Sequence, residues 1–443
     1  MSRRLVPLLV VLLGVLGACS NDGVTGPDEA ARPPAGTGSM PGSTAPGGSQ
    51  AGSSVPGTTA RTGPVSTAPA RVLPSGRPGP AFPTEERAVT LDLFAAPADI
   101  DPAVVRDQLA YAASQGANTV YVSASEVDLG NDTKLRATLD LAHDLGLVAV
   151  LDPFIGGTFR GDAGGSALAV LAAHPEWQAV SRQGVAAPVP AINTAAYRDS
   201  VLDTLDRFLA LDIDGVVFDQ PSFPQQPLDA PGDYFPFDAD AQLQFESRFG
   251  HVLPARETAE VVQFRHDSMK SFLEDLTIEV RHQRPDVSTR LLVPPDLGVV
   301  DTRAGTDDWK ELASIQALDA LHVAAPGGGD EAAFAAFVRN QDRLIDAVGT
   351  QQASGMWIAA SGLGEGSYAF ISTEIADARK HGVTHLVVVV SDQHPNAQPE
   401  AAWAEIRKGF GIPDGQAVGP PPAPLSTTTT TTPVATAPTD PPT

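Results

Sequence analysis

The sequence predicts an α/β protein built as a (β/α)8 barrel. Eight short apolar, β-branched segments occur between residues 87 and 412, amphipathic helical patterns follow most of them, and most recur at intervals of about thirty residues. A doubly wound open sheet would show the same alternation of strands and helices, and it is the alternative architecture. Low-complexity segments flank this region on both sides, and we expect them to form a disordered tether and a disordered tail.

The candidate strands are runs of Val, Ile, Leu and Phe bounded by glycine, proline or polar residues. They comprise residues 88–94, 118–124, 147–152, 213–219, 287–293, 318–324, 356–360 and 384–390. Gly116, Gly146 and Gly382 stand where intervening helices should end, and Pro102 suits a first helical turn. The intervals before and after the fourth strand are more than twice as long as most others, which predicts two large insertions at the carboxyl-terminal face of the barrel.

Residues 1–19 have the features of a bacterial export signal. A basic start is followed by an apolar run from Leu5 to Leu16, and small residues precede Cys19. The end of this segment resembles the lipobox, which implies cleavage before Cys19 and attachment of lipid to its sulfur. Cys19 is the only cysteine, so an internal disulfide and a multi-cysteine zinc site are excluded. We expect an extracytoplasmic protein that is lipid-anchored to the cell membrane.

The composition sets the domain boundaries and limits the partners. Residues 20–86 are rich in Gly, Pro, Ser, Thr and Ala and predict a disordered linker, residues 87–412 hold the predicted barrel, and residues 413–443 predict a disordered Pro/Thr-rich tail. The net charge of −24 argues against nucleic acid as a partner, because no stripe of Lys and Arg is available to neutralise phosphates. A neutral carbohydrate remains compatible with this charge.

Carboxylates end two neighbouring strands at the face where barrel enzymes carry their active sites. The stretch IDGVVFDQPSFP ends a buried strand at Asp219, and LDPF ends the preceding strand at Asp152. Asp296 follows the fifth strand in VPPDLG, a context that also describes an ordinary turn aspartate. Glycoside hydrolysis requires one carboxyl group to protonate the leaving oxygen and another to act as nucleophile or to activate water. We predict these three residues as catalytic candidates; for Asp219, an N-cap or an ion pair with Arg160 or Arg182 is the alternative.

Further polar and aromatic side chains are predicted to bind the substrate. The polar ones lie within or just after other strands, and the tryptophans could stack on the C–H faces of sugars, although packing of a long loop is the alternative for them. They are Asp92, Glu126, Glu365, Asp392, His394, Trp177 and Trp309. A mouth rich in carboxylates and poor in Lys and Arg suits an uncharged polyol and does not suit phosphate chemistry. No metal site and no cofactor are predicted.

The order of several motifs resembles the glycosyl-hydrolase-like family ten barrels. The resemblance covers most of residues 87–412, and the motifs that carry it are HPEWQAVSRQG, AYRDSVLDTLDRFL, IDGVVFDQPSFP, FRHDSMKSFLEDLTIEVRHQRPDV and LDALHVAAP. It implies that the substrate is a cell-wall or exopolysaccharide glycan. In that family the residue matching Asp219 is commonly followed by a second acid, and here Gln220 takes that place, so Gln220 is predicted to bind substrate rather than to transfer protons.

These observations predict a membrane-anchored glycoside hydrolase that acts on a polysaccharide or oligosaccharide of the cell envelope or its surroundings. Two alternatives remain open. One is a glycan-binding lipoprotein without activity, which has kept the barrel and lost one carboxylate. The other is a scaffold that binds another envelope protein through the large insertion after the fourth strand.

Overall fold

A computed structural model describes residues 71–92, 101–155, 170–224, 232–298, 302–326, 328–350, 352–360, 363–390 and 400–413. The export signal, Cys19, most of the predicted linker and nearly all of the predicted tail lie outside these residues. Eight parallel strands form a closed barrel, and the first and last of them are hydrogen-bonded to each other. The predicted (β/α)8 fold is therefore confirmed, and the open sheet is excluded because the barrel has no edge strand.

The described strands are β1 (Glu86–Asp92), β2 (Thr119–Ser125), β3 (Val148–Phe154), β4 (Gln178–Val180), β5 (Ala186–Pro190), β6 (Gly215–Asp219), β7 (Ser288–Val293), β8 (Ala320–Ala324), β9 (Ala353–Ala359) and β10 (His385–Val389). The described helices are α1 (Pro102–Ser114), α2 (Glu126–Gly130), α3 (Thr133–Asp144), α4 (Ala195–Leu209), α5 (Ala239–Phe249), α6 (Ala259–Gln283), α7 (Trp309–Ala313), α8 (Glu331–Val348), α9 (Ala369–Lys380) and α10 (Glu400–Phe410). The barrel order is β1-β10-β9-β8-β7-β6-β3-β2, while β4 and β5 form a separate antiparallel hairpin. Within the described ranges, no helix is both long and apolar enough to cross a membrane.

The barrel strands alternate between two buried faces, as parallel strands covered by helices should. On β6, Val216 and Phe218 point outward into the main core between strands and helices, while Val217 points inward with Tyr121 and Trp357. The inward set is small and includes Ala88, Val150, Leu292 and Val387. Because side chains alternate along a strand, Asp152 of β3 and Asp219 of β6 share the inward face with Val150 and Val217.

Helix ends follow the signals that the sequence carries. Pro102 occupies the first turn of α1, and the side chain of Asp101 caps that helix by accepting from the amide of Ala103 at 2.8 Å. The predicted glycines after α1, α3 and α9 all have positive φ, between 73° and 96°. A side chain there would be strained, so these positions end the helices and turn the chain into the next strand.

The folded part of the chain begins earlier than the composition predicts. Residues 71–86, assigned to the disordered linker, pack against the barrel: Leu73 is 2% exposed, and Arg71 pairs with the buried carboxylate of Asp214 at 2.9 Å. Arg77 adds hydrogen bonds to two acids of α3. The linker boundary at residue 86 is therefore wrong, because contacts with the barrel, rather than local composition, order this segment.

The two large insertions flank β6 as predicted and contact each other. The first contains the β4–β5 hairpin, and the second contains α5 and the segment before it. The carboxylate of Asp233 accepts hydrogen bonds from the hydroxyl of Ser181 at 2.7 Å and from the amide of Gln183 at 2.9 Å. Phe235 packs into a small apolar cluster with the hairpin. The described parts of the two insertions thus form one shoulder on the side of the barrel where Asp219 lies.

Glu374 of α9 gives a prediction about stability and pH. Its side chain is buried, and burial raises its pKa to about 8. A folded-state pKa above the unfolded value means that wild-type stability falls as pH rises from about 4.5 to about 8. Glu374→Gln cannot ionise and should be more stable than wild type by roughly 4 to 5 kcal/mol at pH 9 and nearly equal to it at pH 4. Urea unfolding at both pH values measures this; equal differences at the two would contradict it.

Candidate active site

Two carboxylates stand on adjacent barrel strands at the carboxyl-terminal face. Asp152 belongs to β3 and Asp219 ends β6; both face the inside of the barrel, and each is 1% exposed. The structure therefore places on neighbouring strands the two acids that the sequence predicts as catalytic candidates. Their burial means that a substrate has to displace whatever covers them before it can make contact.

The register of the strands gives the spacing of the pair. Leu151 pairs with Val216 in register, so Asp152 lies one residue beyond that level and Asp219 three residues beyond it. Neighbouring strands lie about 4.8 Å apart and rise about 3.3 Å per residue, so an offset of two residues places the two Cα atoms about 8 Å apart. Side chains on the same face at this spacing can bring their carboxyl groups within the separations that glycosidases use, about 5 to 9.5 Å.

The residue after Asp219 fixes the orientation of that carboxylate. Gln220 has a φ of 47°, in the left-handed region that residues other than glycine rarely adopt. Its amide donates to the carbonyl of Leu292 on β7 at 2.8 Å, and its side-chain nitrogen donates to Oδ1 of Asp219 at 3.1 Å. The strained backbone thus turns the glutamine back onto the acid and holds its carboxylate in place.

Asp152 is held by the neighbouring strand. Its Cα pairs in register with that of Ser123 on β2, and the Ser123 hydroxyl donates to Oδ2 of Asp152 at 3.1 Å. Both residues are buried and face inward. Ser123 thus donates to Asp152, and Gln220 donates to Asp219. The ion pair of Asp219 with Arg160 or Arg182 stays an alternative, because Arg160 lies outside the described residues.

Asp296 is held by helix α8 and by its own turn. Its carboxylate contacts Arg343 of α8 at 2.5 Å and accepts from the amide of Gly298 at 2.7 Å, and its backbone is held by Asn340 of the same helix. The bond to Gly298 is that of the turn aspartate that the sequence admitted. Its catalytic role stays a prediction, and the geometry favours a role in attaching the β7 loop to the outer helix.

The two readings of Asp296 differ in their expected results. If it attaches the loop, Asp296→Asn should lower the free energy of unfolding by about 0.5 to 1 kcal/mol, because the ion pair is partly exposed, and should leave hydrolysis unchanged. Arg343→Gln removes the same pair from the other side and should match it. Denaturant unfolding and initial rates measure both variants. A hundredfold lower rate for Asp296→Asn alone would make it catalytic.

The predicted aromatic platforms are packed into the protein. Trp309 is 2% exposed, and the guanidinium of Arg343 lies 4.3 Å from the ring centroid. Trp177 is 9% exposed and stacks on His174 with centroids 3.8 Å apart, with Tyr197 against its edge. Both rings pack against neighbouring side chains, as the alternative to sugar stacking predicts. Stacking of a sugar on either ring stays a prediction.

The other predicted substrate-binding residues are described only in part. Glu126 begins α2 and is partly exposed, and Asp92 ends β1, where its Cα pairs in register with that of Ser123. Glu365 begins a short 3-10 turn after β9. The side chains of Asp92 and Glu365, like Asp392 and His394, lie outside the described residues, so their roles stay predictions. Among the described residues, no cluster of three or more His, Cys, Asp or Glu could hold a metal ion.

A buried polar network deeper in the barrel was missed at the sequence level. Arg290 of β7 contacts Glu86 of β1 at 2.8 Å and also the hydroxyl of Tyr121, which in turn donates to Glu86 at 2.7 Å. Arg290 and Glu86 are each about 2% exposed at their side chains. A charged residue within an apolar strand is a signal that could have indicated this network. The pairing itself could not be predicted, because Glu86 and Arg290 lie far apart in the sequence. The charge pair occupies the amino-terminal half of the barrel, away from the two aspartates.

Next to this pair, three aromatic side chains form a neutral hydrogen-bonded row. Trp357 donates from Nε1 to Nδ1 of His322 at 3.0 Å, so the His322 proton sits on Nε2 and is donated to Nδ1 of His385 at 3.0 Å. Burial lowers the pKa of both histidines. The row is therefore uncharged at neutral pH and serves the packing of the barrel interior.

The barrel is similar to solved structures of carbohydrate-active enzymes. The catalytic domain of β-amylase from Paenibacillus polymyxa has a TM-score of 0.53 at 11% identity, over 75% of this chain and 99% of that chain. The β-galactosidase of the Antarctic haloarchaeon Halorubrum lacusprofundi has 0.55 at 14%, over 74% and 58%. That of Bacillus circulans sp. alkalophilus has 0.56 at 11%, over 74% and 56%. The chain has a glycoside-hydrolase-like fold.

At these identities the likeness shows the fold alone. The chain spans somewhat more than half the length of the β-galactosidase chains and nearly all of the β-amylase catalytic domain. No protein-family model matches the chain, and no curated protein matches it in sequence. The resemblance to the glycosyl-hydrolase-like family ten barrels therefore stays a prediction below the level of the fold.

Proposed function

We propose that this protein is a glycoside hydrolase that acts on a polysaccharide of the cell envelope or its surroundings. The observation that carries the proposal is the pair of inward-facing carboxylates, Asp152 and Asp219, on adjacent strands at the carboxyl-terminal face of a closed barrel. From ideal strand spacing and the register, their Cα atoms are about 8 Å apart. The β-amylase and β-galactosidases with similar folds support carbohydrate as the substrate class. Attachment through lipid on Cys19 would hold the enzyme at the membrane, where such a glycan is found.

The chemistry needs two carboxyl groups in different protonation states. One protonates the leaving oxygen, and the other, ionised, either attacks the sugar or activates a water. Asp219 accepts from the side-chain nitrogen of Gln220 at 3.1 Å. Asp152 accepts from the neutral hydroxyl of Ser123. Both assignments of acid and of base or nucleophile satisfy this geometry.

The experiment is a screen of the purified full chain for release of reducing ends from defined neutral polysaccharides: starch, β-1,4-galactan, cellulose, xylan, mannan and β-1,3-glucan. We expect hydrolysis of at least one by wild type and none by the Asp152→Asn/Asp219→Asn double variant. Release that persists in the double variant would place catalysis elsewhere. No release by wild type from any of these or from isolated envelope polysaccharide would remove the proposal.

A glycan-binding protein without activity is the second candidate. Two observations favour it: each aspartate of the pair is only 1% exposed, and Asp296, the third candidate acid, is paired with Arg343. This candidate predicts retention on an affinity gel of one of the same polysaccharides, equally by wild type and by the double variant, with no release of reducing ends.

A further inference from the structure

A cavity of about 300 Å³ lies at the amino-terminal end of the barrel. Several of its lining residues are the first residues of barrel strands: Glu86 of β1, Ser288 of β7, Ala353 of β9 and His385 of β10. Because the barrel strands run parallel, these residues meet at the end opposite to the one where Asp219 lies. The cavity is therefore separate from the candidate active site.

The charge pair inside the barrel presents two unused polar atoms to this cavity. Arg290 donates from Nε to the hydroxyl of Ser288 at 3.3 Å and from Nη1 to Oε1 of Glu86 at 2.8 Å, but its Nη2 has no partner among the described residues. Oε1 of Glu86 also accepts from Tyr121, whereas Oε2 has no partner in the same part of the chain. The two side chains are each 2% exposed. A cationic donor and an anionic acceptor thus stand unused side by side.

The aromatic row of Trp357, His322 and His385 ends at the same cavity. Nδ1 of His385 accepts from His322, so the proton of the neutral His385 ring is on Nε2, which has no partner among the described residues. The polar atoms that the described residues enclose completely without a partner do not include this nitrogen, Nη2 of Arg290 or Oε2 of Glu86. A ligand in the cavity can therefore contact all three atoms.

The other carboxylates in the wall already have partners. Asp319 accepts from Arg281 with both oxygens, at 2.8 and 2.9 Å, and Asp286 accepts from Arg284 with both oxygens, each at 2.9 Å. The hydrogen-bonding capacity that remains for a ligand is therefore that of Arg290, His385 and Glu86.

These three side chains favour a ligand that carries both charges. A simple anion would place its negative charge beside Glu86, and a simple cation would place its positive charge beside Arg290. A zwitterion avoids both conflicts, because its anionic group accepts from Arg290 and His385 while its cationic group donates to Glu86. Hydrogen bonds between charged groups are about twice as strong as those between neutral groups, which favours a zwitterion over an uncharged polyol.

The rest of the wall is apolar and suits a hydrocarbon side chain. Phe82 is 42% exposed, and it lines the cavity together with Pro83, Pro285, Val287 and Ala353. The volume of the cavity is at the lower end of the range of small-ligand sites, about 300 to 1,000 Å³. The site therefore suits a small molecule with one charged end and one apolar end.

We infer that this cavity binds a free α-amino acid with an apolar side chain. Its carboxylate accepts from Nη2 of Arg290 and Nε2 of His385, its ammonium group donates to Oε2 of Glu86, and its side chain packs against Phe82. The inference does not depend on the proposed function, because the site uses none of the residues proposed for hydrolysis.

The first test uses the wild-type full chain and changes only the ligand. Calorimetric titration at neutral pH, to millimolar concentrations, measures binding of the L-forms of alanine, valine, leucine, isoleucine, methionine and phenylalanine. The amino acid that binds most tightly is then compared with three analogues: one lacks the amino group, one lacks the carboxylate, and one is N-acetylated and C-amidated. We expect each analogue to bind at least tenfold more weakly. The inference is overturned if no amino acid binds, or if any analogue binds within tenfold of the parent.

The second test locates the site without changing the charge pair. Phe82 lines the cavity, whereas Val72, in the same segment and 65% exposed, does not line it. Phe82→Ala should weaken binding at least threefold, and the matched control Val72→Ala should leave it unchanged. Wild-type affinity in Phe82→Ala, or an equal loss in both variants, would remove the site from this cavity. Release of reducing ends from polysaccharides tests the proposed function separately.

Discussion

Replacing Asp219 with asparagine is expected to lower polysaccharide hydrolysis by about 10² to 10⁴-fold, the usual contribution of a positioned acid or base. Asparagine has the same shape and can still accept the 3.1 Å hydrogen bond from Gln220, but it can neither give up nor take a proton. The substrate should therefore still bind while the chemical step fails. Initial rates over a range of substrate concentrations separate kcat from KM, and we expect the loss in kcat.

The control for this variant is Asp214, a buried aspartate at the amino-terminal end of β6. Asp214 lies just before β6, pairs with Arg71 at 2.9 Å and accepts from the amide of Ala149 at 2.7 Å. Asp214→Asn should reduce stability and leave kcat of the folded protein unchanged. An Asp219→Asn enzyme with wild-type kcat would show that the carboxylate is not part of the chemistry. A loss in kcat that Asp214→Asn shares would indicate a general effect on the barrel instead.

The barrel and the Asp152–Asp219 pair could be predicted because their signals are local. Val216 to Phe218 form an apolar run that parallel strands require on both faces, and an acid follows immediately. The alternation of strand and helix then fixes which end of the barrel the acid occupies. Both predictions use only residues that are close together in the sequence.

The contacts of Asp296 and Trp309 could not be predicted, because both residues contact an arginine that is distant in the sequence. Arg343 is 47 positions beyond Asp296, and its guanidinium both pairs with that carboxylate and covers the indole of Trp309. The sequence around each of the two residues describes a loop and says nothing about an arginine on α8. The order of residues 71–86 has the same origin, since Arg71 is held by Asp214, which is distant in the sequence.

The largest loss of stability is expected from breaking the charge pair inside the barrel. Arg290→Met leaves Glu86 buried without its cation, and removing one partner of a buried pair typically costs about 3 to 5 kcal/mol. The hydroxyl of Tyr121 also belongs to this cluster, where burial, together with Glu86, raises its pKa above the usual value. The variant should therefore lose a large share of the stability that a typical domain has, about 5 to 15 kcal/mol in total. Urea unfolding at neutral pH measures the change.

Two further variants decide whether the loss comes from the uncompensated charge. Glu86→Gln/Arg290→Met removes both charges, and we expect it to recover at least half of the loss, because the desolvation of an unpaired carboxylate is then absent. Arg281→Met removes an arginine whose pair with Asp319, at 2.8 Å, is about 40% exposed on both sides, and it should cost no more than about 1 kcal/mol. If the double variant is as unstable as Arg290→Met, the guanidinium stabilises the barrel through its packing volume and its contact with Tyr121, and the charge of Glu86 is secondary.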